Sequence, residues 1–203
     1  MKVTAAKSMN ASPVRVIGCG ALAREILDVC RVNRLDHVDL ICLPAIWHNR
    51  PELIAPGVRK SIAEAREAGF ERIFVAYAEC GTQGELDKVC LEEGVGRIEG
   101  PHCFSFFAGN DAFAAMEDDI TSFFLTDFLA RQFEAFVVEP LGLDRHPELR
   151  DMYFGNYRKL VYLSQNEDTD LQGRARQAAD FLGLTYEYRL TGYGDLTKAL
   201  QSA

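Results

Sequence analysis

The stretch Val14-Arg-Val-Ile-Gly-Cys-Gly-Ala-Leu-Ala-Arg-Glu-Ile-Leu-Asp-Val-Cys30 decides the fold class, because its pattern changes from strand to helix at a glycine turn. The apolar run at residues 14–17 predicts a strand, and Gly18-Cys-Gly20 predicts the turn that ends it. After the turn, apolar residues recur at helical spacing and predict one buried helix face, formed by Leu22, Ile26 and Val29. Such strand–turn–helix units build parallel sheets.

The same unit recurs along the chain. Residues 78–90 resemble residues 17–30 in having Cys-Gly after a strand and a helix that ends in Val-Cys. Further patterns predict strands at 37–43, 72–77, 160–164 and 185–190, and helices at 62–68, 84–93 and 171–182, with one more between Thr126 and Pro140. We therefore predict an α/β fold: a flexible N-terminal tail at 1–12, then one domain at 13–203 with a largely parallel, doubly wound sheet.

Length and composition exclude several classes of protein. The chain has 203 residues, a net charge of −8 and 48% hydrophobic residues, which is typical of a globular domain rather than a disordered one. The acidic balance argues against nucleic acid as a partner, and no apolar run is long enough to span a membrane. The first residues lack the apolar core of a signal peptide, so we expect a cytoplasmic protein.

Six cysteines in a reducing compartment are not expected to form disulfides. Three lie within apolar helix or strand patterns and are predicted to be core residues: Cys30, Cys42 and Cys90. The other three lie in loops: Cys19 and Cys80 follow strands in glycine turns, and Cys103 follows His102. Because ligands of parallel sheets bind beyond the carboxyl ends of strands, we expect these three thiols to face one cleft.

Three thiolates from three loops would hold a metal with one coordination position open, as a catalytic zinc or a substrate-binding iron–sulfur cluster requires. Isolated loop cysteines and a nucleophilic thiol remain alternatives. His102 is a candidate catalytic residue that would orient Cys103 or deliver a proton, unless backbone carbonyls satisfy it. His146 is either a spare metal ligand or a helix-capping residue.

The partner of such a site is predicted to be a small-molecule substrate. Candidate substrate-binding residues lie after Cys80 and in two polar loops further along: Thr82, Gln83, Arg145 and Asn156. An arginine suits a carboxylate or a phosphate. A surface salt-bridge network is the alternative role for the two later loops.

The glycine turns also permit a cofactor that carries phosphate. Gly18-Cys-Gly20-Ala-Leu-Ala23 fits the dinucleotide-binding pattern after a strand, and Gly81 occupies a similar turn. The second strand, however, ends in Ile41-Cys-Leu-Pro44, without the acidic residue that would hold a ribose. NAD is therefore not expected, although a nucleotide-binding enzyme that uses the Gly18–Ala23 turn remains an alternative function, as do other phosphate ligands at Gly18, Gly20 and Gly81.

Three longer motifs carry a family resemblance. They are Tyr77-Ala-Glu-Cys-Gly-Thr82, Gly100-Pro-His-Cys-Phe-Ser-Phe-Phe-Ala-Gly109 and Leu141-Gly-Leu-Asp-Arg-His-Pro-Glu-Leu-Arg-Asp-Met-Tyr-Phe-Gly-Asn-Tyr157. They resemble the uncharacterised family called domain of unknown function 1638, over most of the chain. Members of that family often accompany corrinoid-dependent methyltransferase systems. The resemblance thus implies one-carbon metabolism, with a corrinoid protein or a methyltransferase as partner, and leaves open whether the chain is an enzyme or a non-catalytic accessory or carrier module.

Overall fold

A computed structural model describes residues 12–116 and 120–203. The predicted tail at residues 1–12 lies, except for Ser12, outside the described residues. The strands are β1 (Val14–Cys19), β2 (Val38–Leu43), β3 (Arg72–Ala76), β4 (Gly96–Arg97), β5 (Ser122–Leu125), β6 (Lys159–Ser164) and β7 (Thr185–Leu190). The α-helices are α1 (Ala23–Asn33), α2 (Ile54–Glu67), α3 (Glu85–Glu93), α4 (Cys103–Ala108), α5 (Asn110–Ala114), α6 (Asp127–Arg131), α7 (Leu149–Phe154), α8 (Thr169–Leu182) and α9 (Asp195–Ser202).

The strands form two sheets, and every pairing in both is parallel. The first sheet has the order β2-β1-β3-β4 and the second has the order β5-β6-β7. Helices flank both sheets, so the predicted α/β class and parallel strands are confirmed. The difference from the expectation is the division into two sheets. β4 has only two residues, and α4 and α5 follow it before the chain reaches β5.

The described part of the chain folds as one compact unit around three apolar clusters. Helix α8 packs against the second sheet with Leu171, Ala175 and Leu182. One face of the first sheet carries Ile62 of α2 and Leu86 of α3. The other face buries Ile26 of α1 together with Leu196 and Leu200 of α9. Because α9 follows the last strand of the second sheet but packs on the first sheet, the C-terminal helix ties the two sheets together.

Several elements differ from their sequence predictions. Helix α2 begins at Ile54 rather than near Ser61, which is buried inside the helix and is not its N-cap. Pro56 is compatible with this earlier start, because it lies in the first turn, where a missing N–H costs little. Strand β5 was not predicted, because Phe123 and Phe124 extend the apolar pattern of the helix that follows.

The predicted cap at Thr126 is confirmed, since its hydroxyl accepts a hydrogen bond from the amide N–H of Leu129 at 3.4 Å. The helix after it is interrupted: α6 ends at Arg131, and a π-helix follows at Glu134–Val138. No helix within residues 12–116 and 120–203 combines the length and the apolar character needed to cross a membrane.

Candidate thiol site

The three loop cysteines lie at the carboxyl end of the first sheet. Cys19 is the last residue of β1, and its neighbour β3 ends at Ala76, four residues before Cys80. Beyond β3 the chain stays extended beside the segment that leads to Cys103. The amide N–H of Glu79 donates to Gly100 O at 2.9 Å, and that of Cys80 donates to Pro101 O at 2.8 Å. This pairing brings the Cys80 loop next to the start of α4.

The three thiols lie in one part of the molecule and affect one another electrostatically. Cys19, Cys80 and Cys103 are all half-buried and all pack against the apolar cluster between the first sheet and α9. Burial raises the pKa of each thiol, that of Cys80 to about 12. The charge of Cys19 raises the pKa of Cys80 further, and the charges of Cys80 and Cys19 raise that of Cys103. At neutral pH the three thiols are therefore protonated.

Backbone amides point at the same three sulfur atoms. Hydrogen bonds from the amide of Ala21 to Cys19 and from that of Ala78 to Cys80 oppose the rise of each pKa. The amides of Cys103 and Phe104 do the same for Cys103. Amide donors favour the thiolate form, so the loops are built to accept negative sulfur once a positive charge offsets burial.

The backbone of the turn at Cys80–Gln83 has a strained conformation. Cys80 and Gln83 have φ angles of 54° and 56°, in the left-handed region that non-glycine residues rarely adopt, and Gly81 has a φ of 77°. Glu79 fixes the turn, because its carboxylate accepts hydrogen bonds from Gly81 N at 2.8 Å, Gly84 N at 3.1 Å and Thr82 Oγ1 at 2.8 Å. Strain of this kind persists only where the surroundings enforce it, and it is common at functional sites.

Two of the predicted substrate-binding residues belong to this turn. The buried Thr82 hydroxyl donates to Glu79, so it holds the turn together. Gln83 is exposed and lines a surface groove of about 860 Å³ between the turn and α2. Gly81 lines the same groove.

His102 lies beside the thiols as the N-cap of α4. Its Nδ1 accepts a hydrogen bond from the amide N–H of Ser105 at 3.3 Å, which places the proton of the neutral ring on Nε2. Its ring lies 5.4 Å from that of Phe104 and 5.1 Å from that of Phe113. Burial lowers the pKa of His102, and His48 lowers it further, so the ring is neutral at neutral pH.

The remaining predicted residues lie on loops of the second-sheet half. His146 Nδ1 is 3.3 Å from Glu148 Oε1, and Arg145 Nε is 3.5 Å from Asp144 Oδ1; both side chains are exposed. Asn156 is exposed after α7. The structure pairs Arg145 and His146 with surface carboxylates.

Close packing explains the first glycine turn. A Cβ at Gly18 would lie 2.9 Å from Ile26 Cδ1, and one at Gly20 would lie 2.9 Å from Leu43 O and 3.0 Å from Ala45 N. Atoms of this chain already occupy the space beside both glycines. Close packing within the chain is therefore one reason for a glycine at both positions.

The three cysteines predicted to be core residues differ in burial. Cys90 is buried, as predicted, whereas Cys30 is half-buried. The prediction for Cys42 is wrong, because this residue is exposed on β2, the edge strand of the first sheet. The apolar run at residues 40–43 does not distinguish an edge strand from a central one.

Three buried polar side chains near the strand ends were missed by the sequence analysis. Glu25 and Asp127 are 3% and 0% exposed, and each has one buried carboxylate oxygen without a hydrogen bond among the described residues. Tyr77 is likewise buried, and its hydroxyl lies next to the Cys19 thiol. The position of Glu25 carried a signal, because it lies three residues after Leu22 and four before Val29, on the apolar face of α1.

The thiols of Cys19, Cys80 and Cys103 are donors that suit a soft metal ion, but in this structure they are not arranged around a common point. Within the described ranges, no group of three or more His, Cys, Asp or Glu side chains is placed to hold a metal ion. Binding by Cys19, Cys80 and Cys103 would therefore require their side chains to turn toward a common point.

Comparison with known families agrees with the resemblance seen in the three motifs. A family model described as "Protein of unknown function (DUF1638)" matches residues 42–200, which include the three motifs together with Cys80 and Cys103. No curated protein matches the chain. The chain therefore belongs to the DUF1638 family.

Proposed function

We propose that this protein binds zinc or an iron–sulfur cluster through Cys19, Cys80 and Cys103 and presents the open coordination position to a small substrate. One observation carries the proposal: Cys19, Cys80 and Cys103 come from three separate segments of the chain and pack against one apolar cluster at the carboxyl end of the first sheet. Backbone amides near each sulfur favour its thiolate form. Parallel sheets bind their ligands at this end.

The charges around the thiols support a metal over a free nucleophile. A nucleophilic cysteine needs a lowered pKa, whereas burial raises the pKa of all three thiols, and repulsion from neighbouring thiols raises those of Cys80 and Cys103 further. Arg97 lowers the pKa of Cys80 only in part, and its guanidinium is engaged by Asp87 at 2.6 Å. A soft cation between the sulfurs would offset both effects at once, since thiolate is the form that binds metals.

Residues beside the thiols would have separate tasks around a bound metal. The metal would act as a Lewis acid or activate a bound thiol or water. The Tyr77 hydroxyl, which is buried next to the Cys19 thiol, would donate a hydrogen bond to its thiolate. His102 Nε2, which carries the proton of the neutral ring, would donate to the substrate.

The family and the free cysteines suggest a metabolic role and a cellular compartment for the protein. Because DUF1638 proteins often accompany corrinoid-dependent methyltransferase systems, we infer a role in one-carbon metabolism, with a corrinoid protein or a methyltransferase as partner. All six cysteines are free, which suits the reducing cytoplasm. A non-catalytic carrier for the same system would use the same metal centre, and turnover of a substrate by metal-loaded protein would distinguish an enzyme from a carrier.

Metal affinity of cysteine variants tests the ligand set. Zinc binding to the reduced protein is measured by competition with a chromophoric chelator, and cluster binding is measured by reconstitution with iron and sulfide. Replacing Cys19, Cys80 or Cys103 by serine should lower the affinity at least about 100-fold, since loss of outer-shell partners alone costs about 10–100-fold.

Cys30→Ser and Cys90→Ser are the matched controls, because they remove a thiol outside the group of three and should leave the affinity unchanged. The proposal fails if the wild type binds neither zinc nor a cluster. It also fails if all five variants retain the metal equally.

A further inference from the structure

A second cavity of about 420 Å³ lies between the 45–49 segment, α4 and the second sheet. Its walls include four phenylalanines, and two exposed polar residues stand at its rim: Phe104, Phe123, Phe124, Phe136, His48 and Asn49. We call it the aromatic pocket. Its volume is within the range of roughly 300–1,000 Å³ that is usual for small-molecule sites.

The phenylalanine rings in the walls of the aromatic pocket contact one another and further rings outside the pocket. Phe104 and Phe124 stack on each other with centroids 5.7 Å apart. Phe136 meets Phe128 edge-on at 4.9 Å, and Phe123 meets Phe154 edge-on at 5.1 Å. These phenylalanines are only partly buried, although each has ring partners, so the pocket is preformed and its apolar surface remains open to a ligand.

One wall is built by a rare element. The π-helix Glu134–Val138 presents Phe136 and Val137 to the cavity. π-Helical turns interrupt helices at a cost, and they occur frequently at functional sites. The interruption between α6 and Pro140 thus has a structural consequence, since it places these side chains in the wall of the pocket.

The lining defines the chemistry of the ligand. The described residues that line the pocket include no Asp, Glu, Lys or Arg, so its walls carry no fixed charge. A charged ligand would lose water there without gaining a counter-charge. His48 and Asn49 offer hydrogen bonds at one side, while rings and aliphatic side chains supply the rest.

We propose that the aromatic pocket binds a small, uncharged aromatic molecule that bears one hydroxyl or carbonyl group. The ring lies between the phenylalanine walls, and the polar group meets His48 or Asn49. The site does not rest on the proposed metal, because no lining residue belongs to the thiol group. It adjoins that group through α4, which begins at Cys103 and carries Phe104.

Calorimetric titration of metal-free protein with p-cresol tests the proposal. We expect saturable 1:1 binding, about tenfold or more tighter than that of 4-methylbenzoate, which has a similar size and a negative charge. We also expect it to be tighter than that of 4-methylcyclohexanol, which lacks the ring. Absence of p-cresol binding, or equal binding of either comparison compound, would overturn the assignment.

Variants locate the binding event. Leu141→Trp adds bulk inside the pocket and should abolish p-cresol binding, whereas the matched change Leu91→Trp on the exposed surface of α3 should leave it unchanged. If Leu141→Trp loses the native circular dichroism spectrum, Phe136→Trp serves the same purpose. Replacing both His48 and Asn49 by alanine should weaken p-cresol binding about three- to tenfold and leave toluene binding unaffected. Equal p-cresol binding by the wild type and the filled variants would contradict the location.

Discussion

Arg131 Nη2 lies 3.0 Å from Glu25 Oε1, and this ion pair joins α6 of the second sheet to α1 of the first. Glu25 is 3% exposed and the Arg131 side chain 19%, so the pair is largely withdrawn from water. Asp127, on the same short helix as Arg131, accepts hydrogen bonds from Tyr162 Oη at 2.7 Å and Gln165 N at 3.0 Å. A largely buried ion pair therefore forms part of the contact between the two sheets, and Asp127 ties the same helix to the second sheet.

Removing the positive charge of Arg131 should lower the stability of the protein. Arg131→Gln leaves the Glu25 carboxylate buried and unpaired, and we expect a loss of about 3 kcal/mol in the free energy of unfolding. Denaturant titration at neutral pH measures it. Arg50→Gln, which breaks the exposed pair with Glu52, is the control and should change stability by less than about 1 kcal/mol. Equal effects of the two changes would show that the buried pair has no special role.

The titration of Glu25 should appear in the pH dependence of stability. Burial raises the pKa of Glu25, and the charge of Asp127 adds to the rise despite the opposing Arg131. A carboxyl group whose pKa is higher in the folded than in the unfolded protein contributes stability that is present below the unfolded pKa. That contribution is lost as the pH rises through the folded pKa.

Glu25→Gln should therefore gain stability relative to the wild type as the pH rises through this window. Unfolding free energies of both proteins, measured from acidic to neutral pH, give the comparison. Parallel pH profiles would mean that the pKa of Glu25 is not raised in the folded protein.

Gly20 should tolerate no side chain. A Cβ there would lie within 3.0 Å of the backbone at Leu43 and Ala45, so Gly20→Ala should cost about 1–3 kcal/mol of stability. Gly173→Ala is the matched control in α8, where a Cβ meets nothing within 4 Å, and it should gain about 0.5–1 kcal/mol. Thermal and chemical unfolding measure both. A harmless Gly20→Ala would reject the packing explanation of this glycine.

Alkylation of the cysteines provides a readout of the thiols that does not depend on activity. Burial raises the pKa values of Cys19, Cys80 and Cys103, so iodoacetamide should modify them slowly at neutral pH and faster as the pH rises. Mass spectrometry of peptides measures each rate. Added zinc should protect these three, while exposed Cys42, whose pKa burial and Cys19 raise to about 11, keeps its rate. Uniform protection, or none, would contradict the grouping.

The repeated pattern of strand, Cys-Gly and helix was sufficient to predict which end of the sheet holds Cys19 and Cys80. Parallel strands place their carboxyl ends together, so the meeting of these two residues follows from local pattern alone. The position of Cys103 beside Cys80 does not follow from local pattern, because it depends on the hydrogen bonds of Glu79 and Cys80 to residues 100–101. Those bonds join segments about 20 residues apart and leave no periodic signal.

Tertiary position explains the other differences. The pattern around Cys42 correctly predicted a strand, but its place at the sheet edge was decided by which strands pair. Strand β5 is four residues long, too short to show an alternating pattern, so the sequence indicated only the start of the following helix at Thr126. The acidic residue Asp127 looks like an ordinary first-turn residue of a capped helix, and only packing against the second sheet buries it.

Whether Cys19, Cys80 and Cys103 hold a metal is tested by the metal content and absorption spectrum of the protein purified without oxygen. If they do, the protein should contain close to one zinc ion per chain and have no visible colour, or contain iron and acid-labile sulfide and have a brown chromophore. In either case Cys19→Ser, Cys80→Ser or Cys103→Ser should remove the metal. Colourless wild-type protein without stoichiometric zinc or iron would contradict the account.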